Sequence, residues 1–394
     1  MPEDHGSAAV VAGARAGTGF YARLGLTPVV NASGTLTILG GSVMPPEVRA
    51  AMDEAAGSYV ELPALLERAG RHLAELIGVP GAFISTGAAG GIAVAVAAAL
   101  TGTDRKRAHD LPRTGDRPNE VVALRAGHPN YMHQAAEMVG GSVVEVGSPE
   151  AATVDDFAAA IGPRTAAILY VYPYVEATLA AAGQRAATIA ALGDLARRAG
   201  VPLLVDAAAE LPPREKLTRF HREGADLVIF SGGKGIFGPQ STGLVVGRAD
   251  LVEVCRLNSN PNSSVGRGMK VGKEEVAGLV RAVELFLGRD EASVFREWER
   301  RCRVVAERLA DVPGVGARVL SSDPRGRPPE AARCFVTIDD PALGSGRDVA
   351  ERLARGAPPI HVRVLPDGLF VEAMTLQPGQ ETLVADALVA ALRR

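Results

Sequence analysis

The residues best equipped for chemistry lie between positions 203 and 243. Asp206 closes the apolar run Leu203-Leu204-Val205. Lys234 follows a second run, Leu227-Val228-Ile229-Phe230, after Ser231-Gly232-Gly233. Each run is too short for a helix and is bounded by turn residues, the pattern of buried parallel strands. An acid and a lysine just past the carboxyl ends of neighbouring strands face the crevice where open α/β sheets bind ligands. Pyridoxal phosphate needs such a pair: a lysine for its Schiff base and an acid for its protonated ring nitrogen. The two glycines allow close approach of backbone to ligand, and the Ser231 hydroxyl is placed to meet a phosphate. Taken singly, the acid reads as a helix cap and the lysine as a solvated turn residue. Together, and followed by Gly238-Pro239-Gln240-Ser241-Thr242-Gly243, they point to the cofactor.

A second site precedes them. Residues 82–100, AFISTGAAGGIAVAVAAAL, read as a short strand turning into an alanine-rich helix. Free N–H groups at a helix start favour an anion. Ser85, Thr86, Gly87 and Ala88 are therefore candidates for a phosphate cup, with tight packing as the competing reading. No Gly-Lys-Ser/Thr follows, so this is not a nucleotide P-loop.

The phrases VDAAAELPP and SGGKGIFGPQSTG resemble the fold-type I pyridoxal-phosphate enzymes. They are similar in particular to the branch that joins bacterial selenocysteine synthase with the D-glucosaminate-6-phosphate ammonia-lyases. NASGTLTILGGS, LPRTGDRPNEVV and GRGMKVGKEE extend the resemblance from about residue 21 to the end of the chain. It implies a large domain with a mostly parallel mixed sheet covered by helices, a small C-terminal α/β domain, and a homodimer or higher homo-oligomer. The expected division is a loose tail over 1–20, a cofactor domain over 21–285 and a small domain over 286–394.

The resemblance also implies roles. Lys234 and Asp206 are the expected catalytic pair. His128, just past the strand 121–124, is expected to stack on the cofactor ring, with Tyr131 and His133 as runners-up and surface histidines as the competing reading. Thr35, Arg267 and Arg363 are the expected substrate contacts, and Asn31, Ser42 and Lys270 are further candidates. Polar turns and solvated basic residues compete with each of these. Arginine suits a carboxylate because its fork binds both oxygens. The resembling lysine loops often carry an arginine where this chain has Phe237, which favours a less charged substrate.

The rest of the chain must position these groups. Alternating strand and helix patterns over 82–247 predict a mainly parallel, doubly covered sheet. With 394 residues, 47% of them hydrophobic, a large core and more than one domain are affordable. Lys+Arg 42 against Asp+Glu 45 gives a net charge of −3, which argues against a nucleic-acid partner. Cys255, Cys302 and Cys334 show no metal-ligand spacing, and no metal is expected. The longest apolar stretch is too short to span a bilayer and no secretory signal is visible, so a cytoplasmic location without membrane contact is expected.

The expected activity is a lyase. It eliminates the β-substituent of a β-hydroxy or similarly substituted amino acid and yields a 2-oxo acid and ammonia. β-Replacement, racemisation, aldol cleavage and a non-catalytic cofactor-binding role are the alternatives. Selenocysteine synthesis is not expected, since it demands a tRNA surface and an extra N-terminal domain.

Overall fold

The computed structural model describes residues 19–125, 130–148, 152–172, 187–320 and 331–393. They form two compact units. One runs from Gly40 to Arg289; the other joins the stretch up to Leu39 to the chain from Asp290 onward.

The chain enters through helix α1 (Phe20–Arg23) and strand β1 (Val30–Ala32). Helices α2 (Pro46–Ala56) and α3 (Leu62–Ile77) each carry a proline in the first turn, where no backbone N–H is needed. Strand β2 (Gly81–Thr86) runs into α4 (Gly87–Thr101). There follow α5 (Arg105–Asp110), β3 (Glu120–Leu124), α6 (Tyr131–Met138), β4 (Ser142–Val146), α7 (Val154–Ala160) and β5 (Thr165–Val171). Helix α8 (Ile189–Ala199) leads to β6 (Leu203–Asp206), α9 (Lys216–Arg222), β7 (Leu227–Ser231) and β8 (Thr242–Gly247). Helices α10 (Ala249–Leu257) and α11 (Lys273–Gly288) close this unit.

Its seven-stranded sheet has the order β2-β8-β7-β6-β5-β3-β4. The neighbours from β7 through β4 pair in parallel, as the alternation predicts. Strand β8 is antiparallel to both β7 and β2. The reason is the connection: only residues 232–241 separate β7 from β8, too few for the crossover a parallel pair requires. Because β8 reverses twice-shared direction, β2 runs the same way as β7. The carboxyl ends of β2, β6 and β7 therefore lie on one edge of the sheet.

Two apolar layers cover the sheet. On one face Phe83, Leu204, Ile229 and Val245 pack with Ile92, Val96 and other residues of α4. On the other, Ile84, Val205 and Val228 pack with residues of α3, α8 and α11. Helix α4 is buried along nearly its whole length, which its alanines and glycines allow. At Gly91 a Cβ would lie 2.9 Å from both Ile229 Cγ2 and Ser85 Oγ, so only glycine lets the helix settle this close.

In the other unit, β1 pairs in parallel with β11 (Ile360–Leu365). The sheet order is β1-β11-β12-β10-β9, with β9 (Val315–Leu320), β10 (Arg333–Ile338) and β12 (Gly368–Glu372) antiparallel to their neighbours. Helices α12 (Glu291–Leu309), α13 (Gly346–Ala354) and α14 (Gln380–Ala391) pack with it. Residues 30–32 thus belong to the C-terminal unit by main-chain hydrogen bonds, reinforced by Thr375 Oγ1 donating to the Asn31 carbonyl at 2.8 Å. Among the described residues no helix is long and apolar enough to cross a membrane.

Ile229 is fully buried at the contact between β7 and α4. Ile229→Ala should lower the unfolding free energy by about 2–5 kcal/mol. In urea titrations of the cofactor-free protein the midpoint should fall while the slope is unchanged.

Candidate active site

Asp206 ends β6 beside Ile229 of β7 and is 1% exposed. Its two oxygens have separate donors. The Ala208 N–H reaches Oδ1 at 3.0 Å, and the Tyr131 hydroxyl reaches Oδ2 at 2.5 Å. Burial pushes the Asp206 carboxyl above its ordinary range; those two hydrogen bonds and the charge of Lys234 oppose the push. The Tyr131 phenol is driven well above its ordinary range, first by burial and then by the Asp206 charge, so it stays protonated and acts as a donor. Tyr131 opens α6, whose N-cap Asn130 accepts from the Met132 and His133 N–H groups.

Lys234 lies three residues beyond β7 and is half-buried. Desolvation holds its amine below the ordinary lysine range, while Asp206 and Glu210 pull the other way. Among the described residues its Nζ has no hydrogen bond or close ion pair. The other lysines have different situations. Lys106 pairs with Asp110, Lys216 pairs with Glu210 at 3.1 Å in the interior, Lys273 donates to the Ala55 and Ala56 carbonyls at the end of α2, and Lys270 is exposed.

The loop that carries Lys234 is tied to itself and to its surroundings. The Gly232 N–H donates to the Thr242 carbonyl and the Gly238 N–H to the Gly232 carbonyl, both at 2.8 Å. At Gly233 a Cβ would sit 2.3 Å from Gln240 Cα, so the strand-like start and the return of the loop touch through glycine alone. Ser42 Oγ donates to the Gly233 carbonyl at 3.0 Å, and Ser241 Oγ donates to Glu275 Oε1 at 2.6 Å. Glu275 also accepts from the Gly272 N–H in the first turn of α11. The run MKVGKEE therefore anchors the lysine loop and caps α2 and α11. Phe237 sits at φ +63° within this loop, a conformation that side chains rarely adopt.

At the same edge, Ser85, Gly243 and Ser231 form one row across β2, β8 and β7. Opposed residues of antiparallel strands share a face, so both serines lie on the α4 side. Ser85 is buried, and its hydroxyl donates to the Gly87 carbonyl at 2.9 Å, which fixes the strand-to-helix turn. Gly87 takes φ +65° there. Thr86, the N-cap, makes no side-chain capping bond, and among the described residues no side chain is seen to accept from the first-turn N–H groups of α4. Thr86 and Gly87 are partly exposed and Ala88 is buried. Ser231 is buried at the end of β7.

These residues fit pyridoxal phosphate. The uncapped start of α4, with Thr86, Gly87 and Ala88, would hold the phosphate; Asp206 would meet the ring nitrogen; and Lys234, without a protein partner among the described residues, would form the covalent link.

The remaining expectations fall differently. His128 lies outside the described residues. His133 is turned to the Leu124 carbonyl, 3.1 Å from Nε2, and to Glu145. Arg267 is exposed and donates to Asn260 Oδ1 at 3.0 Å. Thr35, half-buried, and Arg363, exposed on β11, belong to the other unit. Sequence reasoning missed Tyr131 as a partner of the acid, and Ser42 and Glu275 as supports of the lysine loop.

The family model described as L-seryl-tRNA selenium transferase matches residues 123–296, a span that includes Asp206 and Lys234. A D-glucosaminate-6-phosphate ammonia lyase of Salmonella typhimurium is 34% identical over 374 residues, 93% of this chain and 96% of that protein. The chain belongs to the selenocysteine synthase and D-glucosaminate-6-phosphate ammonia-lyase branch of the fold-type I pyridoxal-phosphate enzymes. A solved structure of D-glucosaminate-6-phosphate ammonia-lyase superposes with a TM-score of 0.80 at 33% identity, covering 95% of this chain and 98% of that one. A 5'-C-glycyluridine monooxygenase-decarboxylase of a Streptomyces species is 38% identical over 374 residues, 92% of this chain and 90% of that protein. The branch thus supports more than one reaction on the same scaffold.

A carboxyl whose folded pKa is raised costs stability as pH rises above its ordinary value of 3.8. Asp206→Asn should therefore make the cofactor-free protein melt higher at pH 7, by roughly 2–4 °C if the relief is ~1 kcal/mol. The difference should shrink as the pH is lowered towards 3.8. Thermal melts of both proteins across that range check it.

Proposed function

We propose that this enzyme is a pyridoxal-phosphate-dependent lyase that removes the β-substituent of a β-hydroxy or otherwise β-substituted amino acid and releases a 2-oxo acid and ammonia. The observation that carries the reading is Lys234: a half-buried amine of depressed basicity beside a buried acid on the neighbouring strand. The kinship with an ammonia lyase supports the same choice.

When bound, pyridoxal phosphate draws electrons from the bonds of an amino acid's α-carbon. This chain's residues do the rest. Asp206 holds the ring nitrogen's proton. Thr86, Gly87 and Ala88 would hold the phosphate through backbone N–H groups. Lys234 would hold the cofactor covalently, and its free amine would accept the α-proton at Nζ. Desolvation lowers its basicity, which favours the neutral amine that a base requires. The net reaction balances: a β-hydroxy amino acid loses water and regains it, giving one 2-oxo acid and one ammonia. We assign Arg267, Arg363 and Thr35 to the substrate's charged and polar groups and His128 to the ring face. The reading includes a homodimer or higher homo-oligomer, which light scattering of the loaded protein tests, and a cytoplasmic location.

A second reading has one observation in its favour, the 38% identity to a monooxygenase-decarboxylase. In that case the α-carboxylate leaves in place of the α-proton.

One assay separates the two. The loaded enzyme is incubated with serine, threonine, their D-forms, β-aryl serines, diaminopropionate, glucosaminate 6-phosphate and a glycyl nucleoside. Ammonia, 2-oxo acid, carbon dioxide and oxygen are followed together. Equal 2-oxo acid and ammonia without oxygen uptake is the expected result. Carbon dioxide with oxygen consumption selects the second reading. Lys234→Ala should reduce turnover at least a thousandfold, in keeping with losing both a covalent anchor and a base worth about 10²–10⁴, with the far-UV circular dichroism unchanged.

A further inference from the structure

The role given to Asp206 requires one of its oxygens to meet a ring nitrogen, yet both already have donors and the residue is almost fully covered. The Ala208 N–H is backbone, two residues along the same turn, and cannot withdraw without unmaking it. The other donor is the tip of a side chain. Tyr131 comes from α6, 75 positions away in sequence, and 47% of its surface is exposed. With Asp206 1% exposed, a new donor reaches Oδ2 only if a neighbouring group yields, and the phenol is the side-chain donor beside that oxygen.

We propose that Tyr131 is a placeholder. In the cofactor-free enzyme its hydroxyl donates to Asp206 Oδ2, and it moves away when the ring nitrogen of pyridoxal phosphate takes that oxygen. The inference rests on the pyridoxal-phosphate reading of the site.

The logic is that of a buried charge. An ionised carboxylate with an unfilled oxygen is costly in the interior, and a hydrogen bond to a charged group recovers much of that cost. A phenol suits the task better than a cation. It satisfies the acid without the second desolvated charge that would have to be displaced later. The phenol's raised pKa keeps it a donor throughout the physiological range. A contact present only in the empty state stabilises that state and weakens cofactor binding by the same factor. Tyr131 is therefore a positioning residue whose hydrogen bond favours the ionised form of the buried acid, at some expense in cofactor affinity.

Tyr131→Phe tests this through binding and melting, independently of turnover. Cofactor-free Y131F should melt below cofactor-free wild type, while the two loaded proteins melt together. The Kd for pyridoxal phosphate, read from absorbance and fluorescence titration, should be about tenfold lower in Y131F. An equal or higher Kd would overturn the proposal and make Tyr131 a retained partner of the acid. Site-specific 3-fluorotyrosine at position 131 keeps the fold and strengthens the donor. Its Kd should rise, and its fluorine resonance should shift on loading; a resonance unmoved by cofactor also overturns the proposal. If neither wild type nor variant binds pyridoxal phosphate at all, the cofactor reading itself fails, and the placeholder with it.

Discussion

The site depends on one unfavourable fact, a carboxylate placed in the interior at the end of β6. An isolated charge there costs several kcal/mol even after relaxation. The surroundings of Asp206 answer that cost: a backbone N–H from its own turn, a phenol from α6, and the field of a lysine from the next strand. Each donor comes from a different stretch of sequence, and the parallel sheet brings the acid and the lysine together by aligning β6 with β7. The same interior that raises the acid also lowers the lysine. The hydrogen bonds to Asp206 and the nearby lysine oppose that push and favour the carboxylate form, while desolvation favours the neutral form of the lysine amine.

The lysine is held through its backbone, and among the described residues its Nζ makes no hydrogen bond. Gly233 meets Gln240, Ser42 meets the Gly233 carbonyl, and Glu275 meets Ser241. These contacts come from before and after the loop in sequence, so residues far from the chemistry fix where Nζ can reach. Phe237 in its left-handed conformation belongs to the same constraint: the turn after Lys234 is set by loop closure rather than by its own preference. The proposed geometry is common ground for several reactions, since an acid, a lysine and an uncapped helix start do not choose which α-carbon bond breaks. Relatives with elimination and with oxidative decarboxylation in their names are consistent with that.

Local signals carried much of this in the sequence. Short apolar runs ending in Asp206 and Ser231, glycines before Lys234, and a strand turning into an alanine-rich helix all declare themselves within ten residues. What escaped was non-local. Tyr131 reads as a runner-up for stacking on the ring, and its bond to Asp206 shows only once the fold brings the two together. Ser42 reads as a substrate candidate or a polar turn, and GKEE as a solvated helix start, until each is seen against the lysine loop. The reversal of β8 follows from a short connection, but only once residues 232–241 are known to form no helix. Helices α5 and α9 lie in charged stretches, RKRAHD and KLTRFHR, whose polar character hid them. Strand β1 finds its partner more than three hundred residues away, which no periodicity can announce.

The central claim is that Lys234, among Lys106, Lys216, Lys234, Lys270 and Lys273, is the residue that binds the cofactor covalently. Borohydride reduction of the cofactor-loaded protein, followed by peptide mass mapping, tests it directly. The account predicts a single phosphopyridoxyl group on the peptide that contains Lys234. The same group on Lys216, Lys270 or Lys273, or no stable adduct after loading, would contradict it.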